Sequence, residues 1–140
     1  MPQQFHVGIK SAIVDNDKLL LLKCYDETRN IFLWDLPGGR MEEGEAIMDT
    51  IRRELQEELP GVCNVAVKKL VGAYKSPKIL KDGSGIMMLI YKVNARIPAE
   101  CLLSDEHCDY RWATLQELNT LCNEAELTDA FKAILCEALL

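Results

Sequence analysis

The stretch "GEAIMDTIRRELQEELPGV", Gly44 to Val62, decides the fold. Before it, apolar residues alternate or run unbroken; from Gly44 onward they fall four apart, at Ile47, Ile51, Leu55 and Leu59. That change marks a passage from strand to helix. Pro60 disfavours helical geometry at Leu59 and lacks an N–H, so the helix is expected to stop there. At about 100° per residue the four apolar side chains span an arc from about 0° to about 120°. On the same wheel Glu58 falls near 20°, Glu54 near 340° and Glu57 near 280°. One carboxylate thus lies inside the core-facing arc, one at its edge and one outside it.

A cluster of glutamates on a helix is ordinarily a solvated face. Here like charges three and four apart cost roughly 0.2–0.5 kcal/mol per pair, and partial burial adds desolvation. Gln or Ala would relieve both, and local rules are broken most often at functional sites. Hard divalent cations remove the conflict, because magnesium takes a few carboxylate oxygens and completes its shell with water and phosphate. "LPGGR", Leu36 to Arg40, lies just upstream, where glycines let backbone and phosphate approach closely.

Upstream of the helix, "FHVGIKSAIV" (5–14), the turn cluster Asp15-Asn16-Asp17 and the apolar run "KLLLLKC" (18–24) predict a hairpin entering the core. "IFLWDL" predicts a short strand ending at Pro37-Gly38-Gly39. Beyond the helix, "VAVKKLVGAY" and "GIMMLIYKVNA" read as strands around the loop "KSPKILKDGSG", and "CDYRW" as another. Thr114 with Glu117 forms a capping-box pattern for a helix to about Cys122. Thr128 is expected to cap a final helix with Phe131, Ile134, Leu135, Ala138 and Leu139 on its apolar face. The order is α/β with hairpins and no internal repeat or linker, and residues 1–140 are expected to form one domain.

Composition narrows the partners. A net charge of −6 without a polybasic run argues against stable nucleic-acid binding, and a polyanionic substrate would need metal as intermediary. Six cysteines without a C-x-x-C pair or secretory signal point to free thiols and a cytoplasmic location. His107-Cys108 lacks the second ligand pair of a zinc site. No apolar run approaches the roughly 18–20 residues that span a membrane.

"GGRMEEGEAIMDTIRRELQEELPGV" resembles the signature of the Nudix hydrolase family, G-x5-E-x7-R-E-U-x-E-E-x-G-U with U bulky and aliphatic. Gly39, Glu45, Arg53, Glu54, Leu55, Glu57 and Glu58 fall on it in register. The departure is Pro60, which stands where the pattern has Gly; Gly61-Val62 arrive one residue late. "WDLPGG" and "EHCDYRWATLQEL" extend the likeness over nearly the whole chain. The resemblance implies an α/β/α sandwich with a mixed sheet between helices. It also implies magnesium-dependent hydrolysis of a nucleoside diphosphate-linked substrate by water attack on phosphorus, with manganese as the alternative ion.

By the same resemblance Glu54, Glu57 and Glu58 are metal ligands, joined by the Gly38 carbonyl. Arg53 orients a ligand and can pair with Glu57 four residues on, and Glu45 supports the helix start. Glu106 is a further candidate as ligand or general base, with Asp105 and Asp109 as competitors in the same acidic loop. Glu57, Glu58 or Glu106 would take the proton from water. Gly39 and Arg40 are candidates for substrate phosphate, with a plain surface Arg as the alternative. Lys75, Lys78 and Lys81 are open to a diphosphate role or to simple solubility, and Trp34 and Phe5 to base stacking or core packing. A (d)NTP pyrophosphohydrolase is the first expectation, an ADP-ribose or nucleotide-sugar pyrophosphatase the second, and a non-catalytic nucleotide sensor the third. The expected partner is a small nucleotide, with no membrane, and the chain is expected to be a monomer or homodimer.

Overall fold

The computed structural model describes residues 1–27, 30–99, 109–123 and 129–139. The Asp15-Asn16-Asp17 turn forms as its composition predicts, with Asn16 and Asp17 at φ of 50° and 60°, the left-handed pair that suits a two-residue hairpin. It joins β1 (Phe5–Asp15) to β2 (Lys18–Asp26), but their pairing is confined to Val14↔Leu19 and Asp15↔Lys18. Beyond the turn the strands part. β2 lies between β3 (Ile31–Asp35) and β7 (Asp109–Ala113). β1 runs between β4 (Gly38–Arg40) and, in parallel, β6 (Gly85–Arg96), which pairs in turn with β5 (Cys63–Lys75). The sheet is therefore mixed.

Helices cover both of its faces, and β2 shows why its apolar run is unbroken. Leu20 and Leu22 pack with Ile51, Leu55 and Leu59 of α1 (Ile47–Glu58) and its C-cap. Leu19 and Leu21 pack instead with Leu118 of α2 (Leu115–Asn123) and Leu135 and Ala138 of α3 (Asp129–Ala138). A strand buried on both faces needs no polar alternation. The Thr114 cap of α2 is present, its Oγ1 accepting the Glu117 N–H at 3.2 Å. Thr128 and the Phe131 side chain lie outside the described residues, as do Asp105, Glu106, His107 and Cys108.

The Pro60-Gly61 departure is absorbed locally. Leu59 leaves helical geometry at φ −128°, its N–H still reaching Leu55 O at 2.8 Å. Gly61 then takes φ +91°, and Val62 turns back into the α1 core. The left-handed residue that reverses the chain is still glycine, one position later. Among the described residues no helix is long and apolar enough to cross a membrane.

Candidate active site

α1 presents its carboxylates in the graded order that the helical wheel predicts. Glu58 is buried, at 4% exposure, the Glu54 side chain is at 14% and that of Glu57 at 59%. Asp49 in the first turn accepts the Ala46 N–H at 2.9 Å, which secures the helix start. From there Ile51 and Leu55 anchor the helix to the sheet, and its acidic rim lies along β4.

β4 meets that rim through two glycines. Gly38 N–H donates to Glu58 Oε2 at 2.8 Å, so the buried carboxylate is satisfied by backbone. At Gly39 an added Cβ would stand 2.3 Å from Glu54 Oε1, so the absence of a side chain is what lets the carboxylate approach the strand. At Gly38, φ +153°, an added Cβ would meet Ile9 O at 2.1 Å. The two glycines therefore serve different neighbours: the sheet at Gly38, the ligand rim at Gly39.

Arg53 binds this rim together. Its Nε and one terminal nitrogen grip the two Glu45 oxygens at 2.8 and 2.9 Å. Its other terminal nitrogen donates to Glu54 Oε1 at 2.8 Å, while the terminal nitrogen on Glu45 also donates to Arg40 O at 3.0 Å. The helical spacing suggests Glu57 as its partner, and that contact exists at a looser 3.7 Å; Glu45 and Glu54 hold the shorter bonds. A planar guanidinium with a fork of donors fits this task better than an ammonium would. The Glu45 carboxyl is held down to about 2, first by the Arg53 hydrogen bond and then by the Glu42 N–H. Arg53 is raised in turn, chiefly by Glu45.

On the other side of β4, Lys10 was not singled out by sequence, although a lone Lys in an apolar strand is a signal that a partner must exist. Its ammonium donates to Asp35 Oδ2 at 3.0 Å and to Leu36 O at 3.4 Å, while Leu36 N–H donates to Asp35 Oδ1 at 2.7 Å. Burial works to lower the Lys10 pKa, yet it is raised, because Asp35, Tyr74 and Glu58 favour the charged form. Tyr74 is pushed up to about 12 by burial, with the Asp35 charge adding to it. The pair ties β1 to the turn that delivers Gly38.

Among the described residues, no three His, Cys, Asp or Glu side chains converge into a ready cage for an ion. Glu54 is turned to Arg53 and Glu58 to Gly38 N–H. The donor chemistry nonetheless fits a hard divalent ion, which takes part of its shell from water and phosphate rather than from protein. The Gly39 cradle fits it as well, since any side chain there would displace the Glu54 carboxylate.

Of the other sequence candidates, Arg40, Lys78 and Lys81 come together around one open pocket, whereas Lys75 turns to Gln3 at 3.2 Å and lies over Phe5. Trp34 packs on the α2–α3 core with Lys23 and Arg111 against its ring. Asp109 is exposed at the start of β7. Cys24, Cys63 and Cys136 are free thiols.

A family model for the NUDIX domain matches residues 4–134. A nucleoside triphosphatase, NudI, from Enterobacter sp. (strain 638) is 31% identical over 138 residues, 91% of this chain and 96% of the relative. In fold, the chain is similar to a MutT protein from Methanosarcina mazei, with TM-score 0.72 at 20% identity over 99% of this chain and 95% of that one. It is also similar to an ADP-ribose pyrophosphatase from Streptococcus suis, with TM-score 0.66 at 21% identity over 95% and 90%. With the signature in register, its carboxylates on one rim and the family model spanning nearly the whole chain, this protein belongs to the Nudix family and is a Nudix hydrolase.

Proposed function

We propose that the protein is a single-domain, cytoplasmic (d)NTP pyrophosphohydrolase, using magnesium to release a nucleoside monophosphate and pyrophosphate. The observation that carries the reading is the α1 rim, three carboxylates graded from buried to exposed beside a glycine strand. The full-length likeness to a nucleoside triphosphatase supports the triphosphate choice. Hydrolases of this family depend in general on a divalent ion, which supports the cofactor.

Glu54, Glu57 and Glu58, with the Gly38 carbonyl, would hold the ion, and Glu106 is a further candidate ligand. When bound, it would supply water activation and charge stabilisation at the phosphoryl oxygens. The chain's own residues do the rest. Arg53 holds Glu54 in place from one side, while Gly38 N–H holds Glu58 from the other. Fixed ligands reduce the reorganisation needed at the moment of reaction. The water oxygen forms a bond to phosphorus, the bridging P–O bond breaks, and the pyrophosphate oxygen leaves with the electron pair. Glu57, the most exposed of the three, takes the water proton in this reading.

The test is hydrolysis of nucleoside triphosphates with products identified, with and without magnesium, for wild type and Glu57→Gln. A loss on the order of 10²–10⁴ in kcat is expected for a general base. Undiminished turnover by Glu57→Gln would falsify its assignment, and Glu106→Gln tested in parallel reports on the other candidate. An ADP-ribose pyrophosphatase is the second reading, favoured by the structural likeness to such an enzyme. Product identification separates the two.

A further inference from the structure

The loop between β5 and β6 is built rather than merely polar. Leu80 N–H reaches Ser84 O and Gly83 N–H reaches Leu80 O, each at 2.9 Å, while Asp82 Oδ1 accepts the Ser84 N–H at 2.9 Å. Gly83 takes φ +84°, which this tight reversal requires. The loop thereby brings Lys78 and Lys81 to a pocket of about 460 Å³ whose wall also includes Arg40 and His6. Ile79 and Leu80 form its apolar part. Among the described residues the one acidic group on its wall, Asp82, accepts from Ser84 and lies 4.0 Å from His6. In a chain of net charge −6, such a gathering of cations suits an anion.

Arg40 connects this pocket to the carboxylate rim. Its carbonyl is held by Arg53, the residue that fixes Glu54, and the same residue lines the pocket of Lys78 and Lys81. Side chains alternate along a strand, so the Gly39 position faces Glu54 and its neighbour Arg40 faces away. A substrate crossing β4 would meet carboxylates on one side and cations on the other.

We infer that Lys78 and Lys81, with Arg40, bind the part of the polyphosphate chain that lies beyond the bond being broken. They would thus select nucleoside triphosphates over diphosphate-linked sugars. This rests on the phosphoanhydride-hydrolase reading above and adds a specificity site outside the family signature. A leaving pyrophosphate carries charge for the pocket to hold, whereas the sugar phosphate leaving from ADP-ribose carries less.

The experiment compares wild type with the double variant Lys78→Ala/Lys81→Ala on dATP and on ADP-ribose, at low and at moderate salt. For dATP, KM should rise at least on the order of tenfold, since each charge-assisted hydrogen bond to phosphate that is lost costs about that factor. The loss should lie in KM rather than kcat, shrink as salt rises, and leave KM for ADP-ribose within about twofold. A dATP KM that does not change, or an equal rise for both substrates, overturns the inference. Inorganic tripolyphosphate, titrated calorimetrically into metal-free protein, gives a readout independent of turnover. If wild type does not hydrolyse dATP, the (d)NTP pyrophosphohydrolase reading fails; tripolyphosphate binding that weakens in the double variant still supports the pocket, and binding that does not weaken overturns it.

Discussion

At the scale of single residues, two adjacent glycines have separate duties. Gly38 lets β4 lie against β1, where a Cβ would strike Ile9 O; Gly39 makes room for the Glu54 carboxylate. Gly39→Ala should therefore spare the fold, because the atom it meets ends a flexible side chain, and damage the site. We expect kcat/KM to fall on the order of 10²-fold, as when a positioned group is displaced by about 1 Å, with little change in melting temperature. A Gly39→Ala enzyme with full activity would show that Glu54 can serve from another position. Both glycines are visible in the sequence, but which of them faces the helix is not.

At the scale of elements, the joint between α1 and the segment before it rests on Arg53 and Glu45. The Glu45 carboxyl is depressed from 4.5 to about 2 by that pairing. A carboxylate whose pKa is lower in the folded state stabilises above its unfolded pKa and loses that contribution as pH falls through the folded one. The contribution is therefore present at neutral pH, begins to decline below about 4.5 and is gone once pH passes about 2. Thermal melting of wild type and Glu45→Gln between pH 6 and pH 2 should give two curves that converge toward the acid end. Curves that stay parallel would mean the pair adds nothing to folding. Sequence placed Glu45 near the helix start, where it complements the dipole. Its grip on Arg53 across eight residues needed the chain before the helix to fold back.

At the scale of the whole molecule, the site is assembled from both halves of the sheet. Lys10 on β1 and Asp35 at the end of β3 lock the turn into β4, and β4 then meets α1. An ion that binds only this assembled arrangement stabilises the folded state by mass action, about 2.7 kcal/mol at a hundred times its Kd. Magnesium or manganese should raise the melting temperature of wild type, and the rise should shrink in Glu57→Gln, whose exposed side chain is not part of the core. No shift with either ion at saturating concentration would count against a coordinated site.

The helix, its stop at Leu59, the graded burial of Glu58, Glu54 and Glu57, and the Asp15-Asn16-Asp17 reversal are all legible in the amino-acid order. Each of these is a local property, set by 3.6-residue periodicity, proline stereochemistry or turn chemistry within a few residues. The tertiary structure alone decided the parallel pairing of β1 with β6 and the early parting of β1 from β2. It also decided the Lys10–Asp35 bond across 25 residues and the meeting of Arg40 with Lys78 and Lys81. Those contacts join residues far apart in the chain, and their geometry depends on how two buried faces pack around one sheet rather than on any local pattern.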